Sequence, residues 1–154
     1  MSNAPYPMPG TTETSMARSL QPAHIENDGQ QKQRTILVVD DELLVRQMLQ
    51  DCLEEYGFTV LTATDGVDAC GLFMKEFARI DLLVSDVLMP RMNGFYAYQV
   101  MCRIKPGLKA ILVSGYPDSA DMINEGNINI PEFLSKPISP RELISKIHAM
   151  LGNV

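Results

Sequence analysis

From Thr35 onward, short apolar runs alternate with longer amphipathic segments. The runs Thr35-Ile36-Leu37-Val38-Val39, Leu82-Leu83-Val84-Ser85 and Ala110-Ile111-Leu112-Val113 are nearly continuous in apolar residues. Strands of that kind are buried on both faces, which is the situation of a parallel sheet. Phe58 to Ala63 and Glu132-Phe133-Leu134-Ser135 complete a set of five. Five strands alternating with helices predict an α/β fold, a doubly wound parallel sheet with helices on both faces. The commonest small version is flavodoxin-like, with strand order 2-1-3-4-5.

The intervening segments carry helical spacing. Leu44, Val45, Met48, Leu49, Cys52 and Tyr56 are spaced for one face of a first helix, which Gly57 is placed to stop. Gly66 to Phe77 reads as a second helix with Ala69, Leu72, Phe73 and Phe77 inward. Pro90, Asn93 and Gly94 make a loop before a third helix over Phe95 to Ile104, and Pro106-Gly107 a turn. A short helix is expected over 118–125. The last helix opens on Ser139-Pro140-Arg141-Glu142, an N-cap, a proline at the first helical position and a capping-box glutamate. Leu143, Ile144, Ile147, Met150 and Leu151 mark its buried face.

Residues 1–34 differ. Pro5, Pro7, Pro9 and Pro22 punctuate a polar stretch with few large aliphatics, which predicts a disordered N-terminal tail. The folded domain is expected over 35–154. The net charge of −6 lies wholly in that part, where sixteen acids face ten bases. An acidic domain is not built to bind nucleic acid directly. Cys52, Cys70 and Cys102 form no CxxC pair and read as buried reduced thiols. No apolar stretch approaches the roughly 20 residues of a membrane span, and the N-terminus lacks a signal-peptide pattern. A cytoplasmic protein that does not enter a membrane is expected.

The chemistry lies where the strands stop. The first ends at Asp40-Asp41, the third at Asp86, the fourth at Ser114 and the fifth at Lys136-Pro137. In an open parallel sheet, ligands bind outside the carboxyl ends of the strands. Strand order 2-1-3-4-5 puts strands one and three side by side, so Asp40, Asp41 and Asp86 would converge. Each residue alone could be turn or cap chemistry; Asp40 and Asp41 could serve the first helix through its dipole. Jointly they form a phosphoryl-transfer set. Clustered carboxylates repel, and a divalent cation relieves them. Hard oxygen ligands with few protein contacts suit Mg²⁺. An aspartate can become an aspartyl phosphate, with Lys136 and Ser114 to hold the phosphoryl oxygens.

These residues resemble the receiver domain of bacterial two-component response regulators. The matching features are Asp40-Asp41-Glu42, Asp86 followed by Met89-Pro90 and Asn93-Gly94, Ser114-Gly115 and Lys136-Pro137. The resemblance implies that Asp86 is the phosphoacceptor and that Asp40, Asp41 and Asp86, with the backbone carbonyl of Leu88, hold Mg²⁺. Ser114 and Lys136 would bind the phosphoryl group, and the Lys136–Pro137 peptide would be cis. Ser114 and Phe133 fall at the switch positions; Phe133 lacks the hydroxyl of the commoner tyrosine. The resemblance implies a signalling module that catalyses only its own phosphorylation and dephosphorylation. A histidine kinase or a histidine phosphotransfer protein would donate the phosphoryl group, and a downstream protein would bind the face of the last two strands and helices. The chain is expected to be a stand-alone receiver, with a relay intermediate or an excised piece of a kinase as alternatives. A flavodoxin-like cofactor-binding module shares the sheet but cradles phosphate with a Ser/Thr/Gly-rich loop after strand one, where this chain has Asp40-Asp41-Glu42-Leu43.

Overall fold

In the computed structural model, which describes residues 32–116 and 131–152, five strands form one sheet of order β2-β1-β3-β4-β5, every pair parallel. They are β1 (Thr35–Val39), β2 (Thr59–Ala63), β3 (Ile80–Asp86), β4 (Lys109–Ser114) and β5 (Glu132–Ser135). Among the described residues four helices connect or follow them: α1 (Leu43–Glu55), α2 (Gly66–Glu76), α3 (Gly94–Ile104) and α4 (Pro140–Leu151). The fold class and strand order are those read from the sequence. The short helix expected over 118–125 and the tail over 1–34, apart from 32–34, lie outside the described residues.

Each central strand feeds two cores, because successive side chains point to opposite faces. Ile36 and Val38 join Leu49 and Leu53 of α1 and Leu143, Ile144 and Ile147 of α4. Leu37 and Val39 join Ala69 and Phe73 of α2 and Ala97, Tyr98 and Met101 of α3. All five β1 residues are buried, so the strand has no wet side. Truncating Leu53 to Ala in the first core would cost about 2–5 kcal/mol.

Two helix faces differ from the sequence reading. In α1, Leu44 and Met48 are exposed, as is Tyr56 at the C-cap, while Leu49 and Leu53 are buried and Val45 and Cys52 partly so. Two overlapping apolar stripes satisfy the same helical period, and the one that includes Leu53 reaches the sheet. In α2, Ala69 and Phe73 are buried as expected, but Phe77 is exposed at the C-cap. The three cysteines are free and partly buried rather than fully so.

Helix termini follow local chemistry. Gly57 has φ of +86°, and its N–H donates to the Glu54 carbonyl while the Phe58 N–H donates to Leu53. That pair of bonds is a Schellman cap. It buries Phe58 as part of the cap, and β2 begins one residue later than expected. Ser139 Oγ accepts from the Glu142 N–H at 3.4 Å, with Pro140 in the first turn. α4 buries Leu143, Ile144 and Ile147, with Met150 and Leu151 partly buried, as its spacing requires.

Candidate functional site

A parallel sheet delivers all its strand carboxyl ends to one edge. The pairings Val39↔Ser85, Asp86↔Val113 and Ser114↔Ser135 bring the residues at or just past the ends of β1, β3, β4 and β5 side by side there. Asp40 is 1% exposed. Its Oδ1 accepts from the Glu42 N–H at 2.9 Å, and its carbonyl accepts from Arg46 Nη1 at 2.7 Å. The N-cap of α1 is Glu42, with no side-chain cap. Asp40 and Asp41 therefore do not cap that helix, and their carboxylates remain for other use.

Asp86 ends β3 and is also buried. Its Oδ1 accepts from the Leu88 N–H at 3.1 Å, and its Oδ2 from Lys136 Nζ at 2.8 Å. Lys136 Nζ lies 3.5 Å from Asp40 Oδ2 as well. The Lys136–Pro137 peptide is cis, and the Lys136 N–H donates to the Ser114 carbonyl at 2.9 Å. Oxygens of Asp40, Asp41 and Asp86 lie within 4.8 Å of one another, Asp41 being the exposed member.

The electrostatics follow. Burial, aided by the Asp86 charge, pushes Asp40 above the ordinary carboxylate value against the pull of the Glu42 N–H and Lys136. Burial alone would lower Lys136, but its hydrogen bond to Asp86 and the two negative charges more than offset this and raise it. One lysine thus serves two buried acids with a third beside them. A like-charge pair at about 4 Å and effective dielectric 20 costs about 4 kcal/mol before screening. Three carboxylates offering hard oxygens at this spacing fit a small divalent cation.

The remaining expected residues sit around this centre. Ser114 is buried at the end of β4, and its Oγ accepts from the Tyr116 N–H at 3.1 Å. The Leu88 side chain is exposed. Phe133 is half-buried in a small apolar cluster with Leu112, Phe95 and Val87, the residue that follows Asp86, and lies outside the acid cluster.

Two features were not read from the sequence. Gly94 opens α3 so close to β3 that a Cβ there would lie 2.0 Å from the Asp86 carbonyl oxygen. Arg91, with φ of 66°, donates through both Nε and Nη2 to Asp65 Oδ2. Asp65 is the N-cap of α2, its Oδ1 accepting from Val67 and Asp68. Asp65-Gly66 before an apolar-periodic stretch is itself a cap signal; nothing in the sequence pairs it with Arg91.

Comparison with known proteins identifies the family and the fold. Residues 36–148 match the family model of the response regulator receiver domain. The "Probable transcriptional regulator ycf27" of Cyanophora paradoxa is 35% identical over 118 residues, 77% of this chain and 48% of that protein. A response regulator receiver domain protein from Clostridium thermocellum superposes with a TM-score of 0.70 at 28% identity, covering 77% of this chain and 94% of that one. The receiver domain of the hybrid histidine kinase CckA gives 0.66 at 30% identity, covering 76% and 98%. The chain spans about half the length of the curated relatives it matches.

Proposed function

The chain belongs to the response regulator receiver domain family of two-component signalling, and on that premise we propose that Asp86 is its phosphoacceptor. The observation that carries the proposal is the buried Asp86 carboxylate, bonded to Lys136 and within 4.8 Å of Asp40 and Asp41 oxygens. A carboxylate oxygen of Asp86 attacks phosphorus. The bond to the donor (nitrogen of a phosphohistidine, or oxygen of acetyl phosphate) breaks, and the donor leaves with the electron pair. The product is an acyl phosphate. Little covalent chemistry is asked of the protein, so positioning and charge neutralisation supply the catalysis.

Asp40, Asp41 and Asp86, with the Leu88 backbone carbonyl, would hold Mg²⁺. When bound, the ion would offset charge on the acids and on the incoming phosphoryl oxygens. Lys136 exchanges its resting contact with Asp86 for a phosphoryl oxygen, and Ser114 donates its hydroxyl to another. Moving Ser114 Oγ away from the Tyr116 N–H disturbs the end of β4. Phe133 pairs with Leu112 of that strand and responds with it, which alters the surface of β4, β5 and α4 for a downstream protein.

The phosphoryl donor is a histidine kinase or a histidine phosphotransfer protein. A groove of about 310 Å³ is lined by Glu42, Val45, Met48, Lys136, Pro137 and Ile138, and Leu43 and Leu44, between Glu42 and Val45 in sequence, are exposed. That apolar rim suits a helical donor that must bring its histidine to Asp86. The chain acts as substrate and catalyst of its own modification rather than as a turnover enzyme. It works in the cytoplasm; no helix among the described residues is long and apolar enough to cross a membrane. Direct contact with nucleic acid is not part of this reading, given the acidic domain.

Intact-mass analysis after acetyl phosphate treatment tests the assignment. Wild type gains one phosphoryl mass with MgCl₂ and none with chelator, and Asp86→Asn gains none. Equal labelling of the Asn variant would overturn it.

A further inference from the structure

Between β3 and α3, residues 87–93 form a loop with a firmly held base. The Gly94 N–H donates to the Val87 carbonyl at 2.9 Å, and Gly94 packs directly on Asp86. Its outer part meets α2 through Arg91 and Met92. Met92 lies against the first turn of that helix so closely that a Cβ on Gly66 would be 2.6 Å from the Met92 carbonyl oxygen. Its Sδ is 3.9 Å from Cys70 Sγ. The one ion pair the loop makes among the described residues is Arg91 with Asp65, 26 residues away in sequence.

Three observations make this pair more than a surface contact. Asp65 is buried and fixed by two backbone N–H groups of α2, so it cannot follow a moving partner. Arg91 adopts a left-handed backbone conformation, disfavoured for any residue with a Cβ, so the loop is held against a local preference. The same loop carries Leu88, whose N–H fixes Asp86 Oδ1 at 3.1 Å.

We propose that Arg91 is a positioning residue: anchored on Asp65, it sets the height of the Leu88–Met92 segment over the acid cluster and thereby the affinity for the divalent ion. This rests on the receiver reading above, because Leu88 is there assigned a metal-facing carbonyl. Arg91 touches neither metal nor phosphoryl group. It acts through the loop, where sub-ångström placement governs reactivity. Nearly three-fifths of the Arg91 side chain is exposed, and pairs of that kind are modest in effect. The expected loss of affinity is therefore about threefold, roughly 0.65 kcal/mol at 1.4 kcal/mol per decade.

The test is titration of the full chain with MgCl₂, followed by backbone amide NMR, for wild type, Arg91→Gly, Arg91→Lys, Asp65→Asn and the Arg91→Gly/Asp65→Asn double variant. Glycine removes the guanidinium and relieves the left-handed conformation, so the Arg91→Gly melting temperature stays near that of wild type. Asparagine keeps an acceptor for the α2 cap while removing the charge. Arg91→Gly and Asp65→Asn should each need about threefold more MgCl₂, and the double variant no more than either single one, because both remove the same tie. Arg91→Lys should recover part of the loss. Unchanged Mg²⁺ affinity in Arg91→Gly, or losses that add in the double variant, would overturn the proposal. Failure of wild type to bind MgCl₂ would instead remove the receiver reading and this proposal with it.

Discussion

The two ends of the sheet treat charge in opposite ways. At the amino end, Asp81 accepts from the Thr35 N–H at 2.9 Å and from Arg34 at 3.3 Å, a single acid with its own partners. Lys105 Nζ bonds the Phe77 and Ile80 carbonyls, and Lys109 Nζ the Met150 carbonyl at the end of α4. Each of these groups closes a loop or completes a helix terminus. At the carboxyl end, Asp40 and Asp86 share Lys136, and Asp41 stands beside them with no hydrogen bond or ion pair among the described residues. The same strands produce both ends, so backbone geometry does not explain the contrast. Charge balanced within the chain serves the fold; the excess of acid at the carboxyl end could hold a cation.

The largest effect should come from crowding the carboxyl end rather than recharging it. In Gly94→Ala the new methyl would meet the Asp86 backbone oxygen, which cannot swing aside. Overpacking against backbone should cost about 3 kcal/mol, read by urea denaturation, and abolish Mg²⁺-dependent labelling together with it. Near-normal stability would show that the close approach is not tight.

The amino end should show stability without function. Asp81→Ala leaves the buried Thr35 N–H without its acceptor and Arg34 without its partner. A loss of about 2 kcal/mol in urea denaturation is expected, with labelling of the folded variant by acetyl phosphate unchanged. A labelling defect at matched folding would erase the contrast between the two ends.

A smaller, pH-linked difference separates acids that serve the fold from those that serve the site. Asp65 is held below the ordinary value of 3.8, first by the Asp68 N–H and further by Arg91. Its folded form prefers the carboxylate, so its contribution is present above pH 3.8 and lost as pH falls through its lower folded value. Asp40 is raised, chiefly by burial, so folding favours its protonated form, and without metal its penalty is relieved as pH falls toward 3.8. Between about pH 5 and 2, Asp65→Asn should lose less stability than wild type, whereas Asp40→Asn should lose more. Parallel melting curves for all three proteins would contradict both assignments.

The strand ends were legible because a parallel sheet turns five separate sequence positions into one edge. Asp40, Asp86 and Lys136 needed only strand boundaries and strand order to be brought together. The orientation of α1 was not legible: Leu44 and Met48 fit the helical period as well as Leu53 does, and only packing against the sheet selects between the stripes. Arg91 gave no signal either. Its role depends on a loop and a helix cap meeting across 26 residues and on a left-handed backbone that sequence would sooner assign to glycine.

The most direct test of the central claim, that the carboxyl end is charge-frustrated for a ligand, is thermal melting of wild type and Asp86→Asn with chelator and with MgCl₂. The variant loses the Lys136 contact, but Asp40 remains as a partner for that lysine and the repulsion between buried acids disappears. With chelator, Asp86→Asn should be more stable than wild type by about 1 kcal/mol, which raises the melting temperature by roughly 4 °C, and MgCl₂ should stabilise wild type much more than the variant. An Asp86→Asn variant that melts below wild type in chelator and gains as much from MgCl₂ would mean that these acids are balanced within the chain, as at the amino end, and would contradict the account.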